Sequence, residues 1–334
     1  MATLGSNVLT LADWAKRLDP DGKVPDIVEM LSETNEILDD MLFMEGNLPT
    51  GHRTNVRTGL PTVAWKLINQ GVTPSKSTTA QIDEACAIME AWSEVDKDLA
   101  ELNGNTAAFR LSEAQAFIEA MNQEQASTLF YGDQTTAPEE FTGLAPRFSA
   151  LSSSANSDNV LSGGGSGSDN ASIYLVCWGS NSVHGIFPKG SKAGLDHVNH
   201  GEVTIQDSTG VGTSRLRVYQ DQFRWKCGIA LKDWRYVVRI ANIDISDLIA
   251  NSGSQANLIN LMIKAIHRIP SLNMGKCAFY MNRTCFQMLD IQRRDDVAAA
   301  GMQYKEVDGK LVPSFRGIPI RKVDALLETE ATVS

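Results

Sequence analysis

Asp196-His197-Val198-Asn199-His200 places two imidazoles near a carboxylate, a spacing at which a metal clip is conceivable. A zinc site needs further ligands of cysteine or histidine type at a usual interval, and none follows, so a polar surface turn is expected. His184 lies beside a strand-like run and is expected as a hydrogen-bonded core or edge histidine rather than a general base. Glu94, Asp96 and Asp98 crowd around Lys97. Paired carboxylates can do acid–base work, but no nucleophile or pocket pattern accompanies them, which leaves a solvated turn or an intersubunit salt bridge. Ser162-Gly163-Gly164-Gly165-Ser166-Gly167 has the glycine density of a phosphate loop without its Lys-Ser/Thr ending or a following helix. Neither a Gly-x-Ser-x-Gly turn nor a Cys–His nucleophile setting occurs. No catalytic residue, metal site or cofactor site is expected.

With 334 residues the chain has room for about two domains. Its net charge of -10 removes any general pull on phosphate, because tight nucleic-acid binding needs clustered Lys and Arg. The five cysteines (Cys86, Cys177, Cys227, Cys277, Cys285) are scattered, which predicts buried reduced thiols in a cytosolic protein. No basic, apolar leader opens the sequence and no run approaches the roughly 20 apolar residues of a membrane span. Without a leader, the sequons at Asn170 and Asn282 carry no meaning.

The elements that must position these residues read as follows. Thr10-x-x-Asp13 opens a first helix with Leu11, Trp14, Ala15 and Leu18 on one face. A second begins near Pro25, carries Ile27, Met30, Leu31, Thr34, Leu38 and Met41, and fades at Gly46-Asn47. Residues 47–90 are punctuated by Pro and Gly, with short β-like runs at 54–58 and 63–68. They read as a protruding hairpin or long loop, with a return strand at 86–95. Its charged residues before Asp83 are all basic: Arg53, Arg57, Lys66 and Lys76. A helix over Leu111–Tyr131 follows, started by Ser112-x-x-Gln115 and striped with Leu111, Ala114, Ile118, Met121, Gln125 and Leu129.

Residues 148–172 read as a flexible surface loop. Strands are expected at 173–178, 183–187, 215–219, 223–231 and 276–281, with two short ones in the tail at 311–312 and 318–323. Helices are expected at 254–269 and 284–292. Mixed elements without βαβ regularity make the fold class α+β.

Extended stretches resemble one family: LPTGHRTNVRTGLP (48–61), TPSKSTTAQIDE (73–84), EAWSEVDKDLA (90–100), AFIEAMNQEQASTLFYGD (116–133) and WGSNSVHGIFPKG (178–190). They are similar to the major capsid proteins of short-tailed bacteriophages, with the Hong Kong 97-like fold. The resemblance implies an N-terminal arm at 1–46, an extended E-loop at 47–90 and a peripheral domain with the spine helix at 91–139. It further implies an axial domain at 140–290 and C-terminal strands at 291–334 returning to the peripheral domain. Pentamers and hexamers would assemble into an icosahedral shell enclosing double-stranded DNA without sequence-specific binding. The other implied partners are a separate scaffolding protein, since the loop is reached by residue 47, and a portal protein at one vertex. A decoration or cement protein would be a reinforcement. The shell would assemble in the host cytoplasm and reside in the virion. Some relatives crosslink through a Lys–Asn bond; Lys66 and Lys76 are on the right loop, but no partner Asn or catalytic acid is identified, so non-covalent assembly is expected.

Arg53, Arg57, Trp65 and Lys66 are the candidate contacts to adjacent copies, with Glu119 or Glu124 on the long helix as ionic partners. The glycines Gly46, Gly51, Gly59 and Gly71 suit a loop that adopts several conformations. Two other readings stand beside this one. An encapsulin-type compartment shell would share the fold, and a small-molecule enzyme would need His184, His197 and Glu94 to converge.

Overall fold

The computed structural model describes residues 33–102, 106–206, 215–250, 256–295, 302–307 and 310–334. The helix expected from Thr10 and the first turns of that from Pro25 lie outside these residues. In chain order the elements are α1 (Ile37–Asp40), β1 (Phe43–Glu45), β2 (Gly51–Gly59), β3 (Thr78–Ala85), β4 (Ala87–Asp96), α2 (Lys97–Glu101) and α3 (Thr106–Tyr131). There follow α4 (Leu144–Arg147), β5 (Val160–Ser162), β6 (Asn170–Trp178), β7 (Val183–Phe187), β8 (Leu195–Gln206), β9 (Arg215–Leu231) and β10 (Val237–Asp244). The last are α5 (Ile245–Ala250), α6 (Leu258–Arg268), β11 (Lys276–Met281), α7 (Arg283–Asp295), β12 (Met302–Val307), β13 (Lys310–Phe315) and β14 (Ile318–Lys322). The content is α+β, as expected, in two compact units. One comprises, of the described residues, 33–35, 88–102, 106–126, 194–206 and 215–226; the other comprises 36–87, 127–193 and the described residues from 227 on.

In the larger unit β6 is the central strand, and all nine of its residues are buried. It pairs antiparallel with β10 on one side and β11 on the other, and β14 adds parallel to β11. A strand covered on both faces has no polar side to show, which is why β6 reads as an unbroken apolar run from Ile173 to Trp178. Leu258, Leu261, Met262 and Ala265 of α6 pack with Cys285 and Leu289 of α7 on Ile173, Leu175, Val238, Ile240 and Phe279. At about 1.5–3 kcal/mol per buried large apolar side chain, this layer is the main stabilising body of the unit. Asn257 caps α6 by accepting from the Asn260 amide.

The chain end is fastened into this sheet by buried polar groups. Arg239 Nη2 donates to Glu330 Oε2 at 2.8 Å, and both side chains are sealed from solvent. Glu330 also accepts from the Ser172 hydroxyl and from Tyr131 at 2.5 Å. Arg239 spends its remaining donors on Ser172 and on the carbonyls of Ala145 and Phe148. Beyond Glu330, Asn242 exchanges two 2.8 Å bonds with the backbone of Val333. It does so from a left-handed conformation, φ 57°, at the register shift of β10.

The structure departs from the expected elements at several points. The segment from Pro25 does not stay helical to Gly46: α1 ends at Asp40, Met41 is extended, and β1 then pairs parallel with β7. Thr34 is exposed, and the residues buried there are Asn35, Ile37, Asp40 and Met41. Residues 148–172 are not one surface loop. Val160 and Leu161 are buried in β5, and Gly163 and Gly165 donate to the carbonyls of Ala241 and Asn242. Small residues were needed there because the chain passes close to β10: a Cβ at Gly163 would meet the Asn242 carbonyl oxygen at 2.7 Å. Asp196–His200 is strand, not turn, and the runs at 215–219 and 223–231 are one strand, β9. The five-thiol expectation fails at one pair. Cys177 and Cys277 stand opposite each other on β6 and β11, with Cα atoms 3.9 Å apart, and are joined by a disulfide. Of the rest, burial pushes the thiols of Cys86 and Cys285 up to about 11 and about 12.

In the smaller unit α3 begins at Thr106, before the expected Leu111, so the Ser112 box falls inside the helix. At 1.5 Å per residue its 26 residues span about 39 Å. Its inward stripe over the first turns is Phe109, Glu113, Phe117 and Met121 at i, i+4 spacing, whereas Leu111 and Ile118 are exposed. Phe117 stacks on Phe223 of β9, and Arg110 pairs with Asp221 at 2.7 Å. These two contacts, one apolar and one ionic, decide which side of the helix faces the strand.

Replacing Glu330 by Ala leaves the Arg239 guanidinium buried without its counter-charge. We expect a loss of about 3–5 kcal/mol, seen as a lowered urea midpoint of the full chain.

Candidate assembly surface

The β2–β3 hairpin belongs to the larger unit but forms a two-stranded sheet of its own, paired from Gly51↔Ala85 to Gly59↔Thr78. At its root the packing is tight. A Cβ at Gly51 would stand 2.0 Å from the Glu84 carbonyl oxygen, so only glycine fits. Glu84 is buried, and Arg147 of α4 grips it with two 2.6 Å bonds while also donating to the carbonyls of Thr142 and Gly143. The Cys86 amide donates to Thr50, and the Gly46 amide donates to Phe187 of β7.

Away from the root the burial ends. All residues from Gln81 back through the connecting loop to Leu60 are exposed. That loop, residues 60–77, carries Trp65 fully in solvent, Val63 and Ile68 at 94% and 93% exposure, and Leu60 and Leu67 not far behind. The expected β-run at 63–68 is irregular, because nothing pairs with it. A two-stranded hairpin is marginal by itself, and one that exposes five large apolar side chains at its tip is built to be covered.

The candidate contact residues fall in three places. Arg53 and Arg57 share the outer face of β2 with Asn55. Arg53 is already held by Asp83 across the hairpin through two 2.6 Å bonds, which lower the Asp83 carboxyl and raise the guanidinium. Arg57, opposite Thr79, is exposed. Trp65 and Lys66 sit together at the tip. Glu119 and Glu124 belong to α3 in the other unit. Glu119 accepts from the Glu33 amide at 2.9 Å and from Gln123 at 3.0 Å, and Glu124 is exposed. Sequence reading missed Leu111 and Ile118 as surface residues. They lie seven apart, two turns along one ridge, and were mistaken for part of the inward stripe.

The residues of the enzyme reading each have a local explanation. His197 stacks on Phe223 and meets Asp221 at 3.0 Å, and Glu94 accepts from Gln220 at 2.8 Å. His184 is fully buried in the larger unit, and neither ring nitrogen makes a hydrogen bond, contrary to expectation. Among the described residues no group of three or more His, Cys, Asp or Glu is placed to hold a metal ion. No described helix is long and apolar enough to cross a membrane.

Comparison with solved structures gives this arrangement a class. A chain of the cryo-EM structure of bacteriophage Epsilon15 superposes with a TM-score of 0.80 at 34% identity, covering 100% of this chain and 99% of that one. More distant likenesses include the bacteriophage JBD30 capsid (8% identity, 89% and 92% coverage, TM-score 0.46). Another is the SrpI encapsulin of Synechococcus elongatus (10%, 70% and 96%, 0.45). Curated proteins yield no match. The molecule is a capsid subunit of the Hong Kong 97-like fold, a structural protein of a phage particle. A family model described as major capsid protein GP7 matches residues 19–334, and the chain belongs to that family.

Glu84 and Arg53 separate the anchored from the free part of the hairpin. Glu84→Ala should cost about 3 kcal/mol by stranding Arg147, whereas Arg53→Ala, in full solvent, should leave the thermal midpoint unchanged. Differential scanning calorimetry of the two variants reads both outcomes.

Proposed function

We propose that the hairpin tip is the part of each subunit that grips the next copy, and that pentamers and hexamers built this way close into an icosahedral shell around double-stranded DNA. The observation that carries this is the tip itself: five large apolar side chains in solvent on an anchored ribbon. Trp65 supplies apolar area, and Lys66 and Arg57 supply charge, to a neighbour presenting Glu124 and the outward ridge of Leu111 and Ile118. Glu119, engaged within its own chain, would be a weaker ionic partner. Each contact is small, but a shell engages many at once, and contacts whose rotations close need no single strong bond.

The parts of the fold follow as proposals: an N-terminal arm to residue 46, an E-loop at 47–90, a peripheral domain at 91–139, an axial domain at 140–290, and returning strands from 291. A separate scaffolding protein, a portal at one vertex and a decoration protein are the proposed partners. DNA is enclosed without sequence-specific contact, in keeping with the net charge of -10. Assembly is proposed to occur in the host cytoplasm; the Cys177–Cys277 bond is the one feature a reducing compartment does not favour. The encapsulin-type and enzyme readings have no observation in their favour.

Arg57→Glu and Trp65→Ser should each leave the folded subunit intact by circular dichroism while lowering shell yield by about tenfold or more in negative-stain microscopy and sedimentation. Normal shells at normal yield in both variants would sink the tip as the grip. Wild-type shells boiled in detergent and reductant should run as single chains; a ladder of covalent oligomers would refute non-covalent assembly.

A further inference from the structure

The root of the hairpin holds two imidazoles that the assembly argument does not use. His184 of β7 is fully buried, with both ring nitrogens unpartnered. His52, the second residue of β2, lies edge-on to it with ring centroids 5.8 Å apart, and its Nδ1 is buried and unpartnered too. A buried polar atom without a partner is costly, so its presence at a junction calls for a reason. The charged groups facing the pair are few. Glu84 stands opposite His52 in the hairpin register, but Arg147 already neutralises it through both oxygens. Lys232 acts on both rings and donates to the Ser180 carbonyl. Any proton added here therefore joins a lysine and an arginine, with one acid that is already engaged.

We propose that this root is a proton-sensitive hinge: the hairpin stays seated on β7 while His52 and His184 are neutral, and loosens when acid charges them. The seated state holds both rings in the neutral form. Burial first, then Lys232 and His52, lower His184 to about 4; an approach to the Gly179 backbone, too poor in geometry to make a hydrogen bond, opposes them least. Burial and Lys232 lower His52 against a smaller opposing effect of Glu84. Freed from the root, each ring would titrate near its ordinary value of about 6.5. Stability of the seated root is therefore complete above about 6.5 and is lost as the pH falls toward about 4, because the loosened state binds protons first. The hinge concerns the single chain and does not depend on what the tip grips.

Hydrogen exchange of the purified full-length chain, corrected for intrinsic rates, tests this at pH 7 and pH 4.5. Amides of residues 48–55 and 81–87 should open on the order of fiftyfold more at the lower pH, while β6 and β11 stay protected. The same comparison on His52→Phe/His184→Phe should show no selective opening. An equal rise in that variant, or none in the wild type, overturns the proposal. If the double variant does not fold, the carbon-13 titration of His184 in the wild type decides. A midpoint well below 6.5 that coincides with root opening supports the hinge; an ordinary midpoint refutes it.

Discussion

A ribbon of two strands has only two faces and no second layer, so it cannot bury its own apolar side chains. Everything around the hairpin answers to that constraint. At one end the chain compensates by fastening: a glycine where the strands touch, a bidentate ion pair inside the unit, and backbone bonds to the neighbouring loop and strand. At the other end it does not compensate at all, and Trp65, Val63 and Ile68 remain in water. A protein that worked alone would gain by trimming or folding back such a tip. Its retention makes sense in a molecule whose lowest free energy lies in a larger assembly, which is what membership of a major capsid protein family means.

Buried charges tie distant segments of the larger unit to its sheet. Arg147 with Glu84 fixes the hairpin root, and Arg239 with Glu330 fixes the chain end. Arg321 holds Asp40 at 2.8 Å and Glu36 at 3.1 Å, fixing the segment that enters the unit. Asp40 also receives Lys276 and Tyr280. Such pairs are weak sources of net stability, because desolvation offsets most of the Coulomb gain, but a wrong partner would leave a charge buried and unpaired. Their value here is positional. Three excursions of the chain are each held in one register by an ion pair to the sheet-bearing unit.

How much of this could be read in advance follows from which forces leave local marks. Strands β7 and β11 were legible to the residue, because the apolar run and its turn residues are local. The hairpin was legible as a protrusion from its glycines and prolines, and its basic character from composition, but its return strand is β3 (Thr78–Ala85) and not the expected 86–95, which is β4. β10 was missed because Arg239, Asn242 and Asp244 interrupt its apolar run, and the partners that let Arg239 and Asn242 be buried are far away in the sequence. The inward face of α3 was legible in its second half, where Met121, Gln125 and Leu129 are buried, but misjudged in its first turns, where Phe117 is set by Phe223 and Arg110 by Asp221, a hundred residues away. The glycine-rich segment was misread for the converse reason: the same small residues that make a linker flexible also let a chain lie close against a strand. Of the candidate surface residues, Arg57, Trp65, Lys66 and Glu124 are exposed, while Arg53 and Glu119 already have partners within the chain, a pairing no sequence spacing announces.

The charge distribution adds a reason for the tip's composition. Copies carrying -10 each repel one another as they approach, most strongly within about a Debye length, roughly 8 Å in physiological salt. Between residues 47 and 82 the charged side chains are all basic, so the exposed tip meets a like molecule of net acidic charge with opposite sign. Under the proposed docking the two effects divide the work. Repulsion between the bodies disfavours random association, and local attraction at the tip selects the one approach that then buries Trp65. Charge sets which contact forms, and apolar area sets how strongly it holds. A uniformly basic surface would associate without direction, and an acidic tip would never arrive; an acidic body with a basic, apolar-tipped ribbon is the arrangement that lets identical chains join in one geometry.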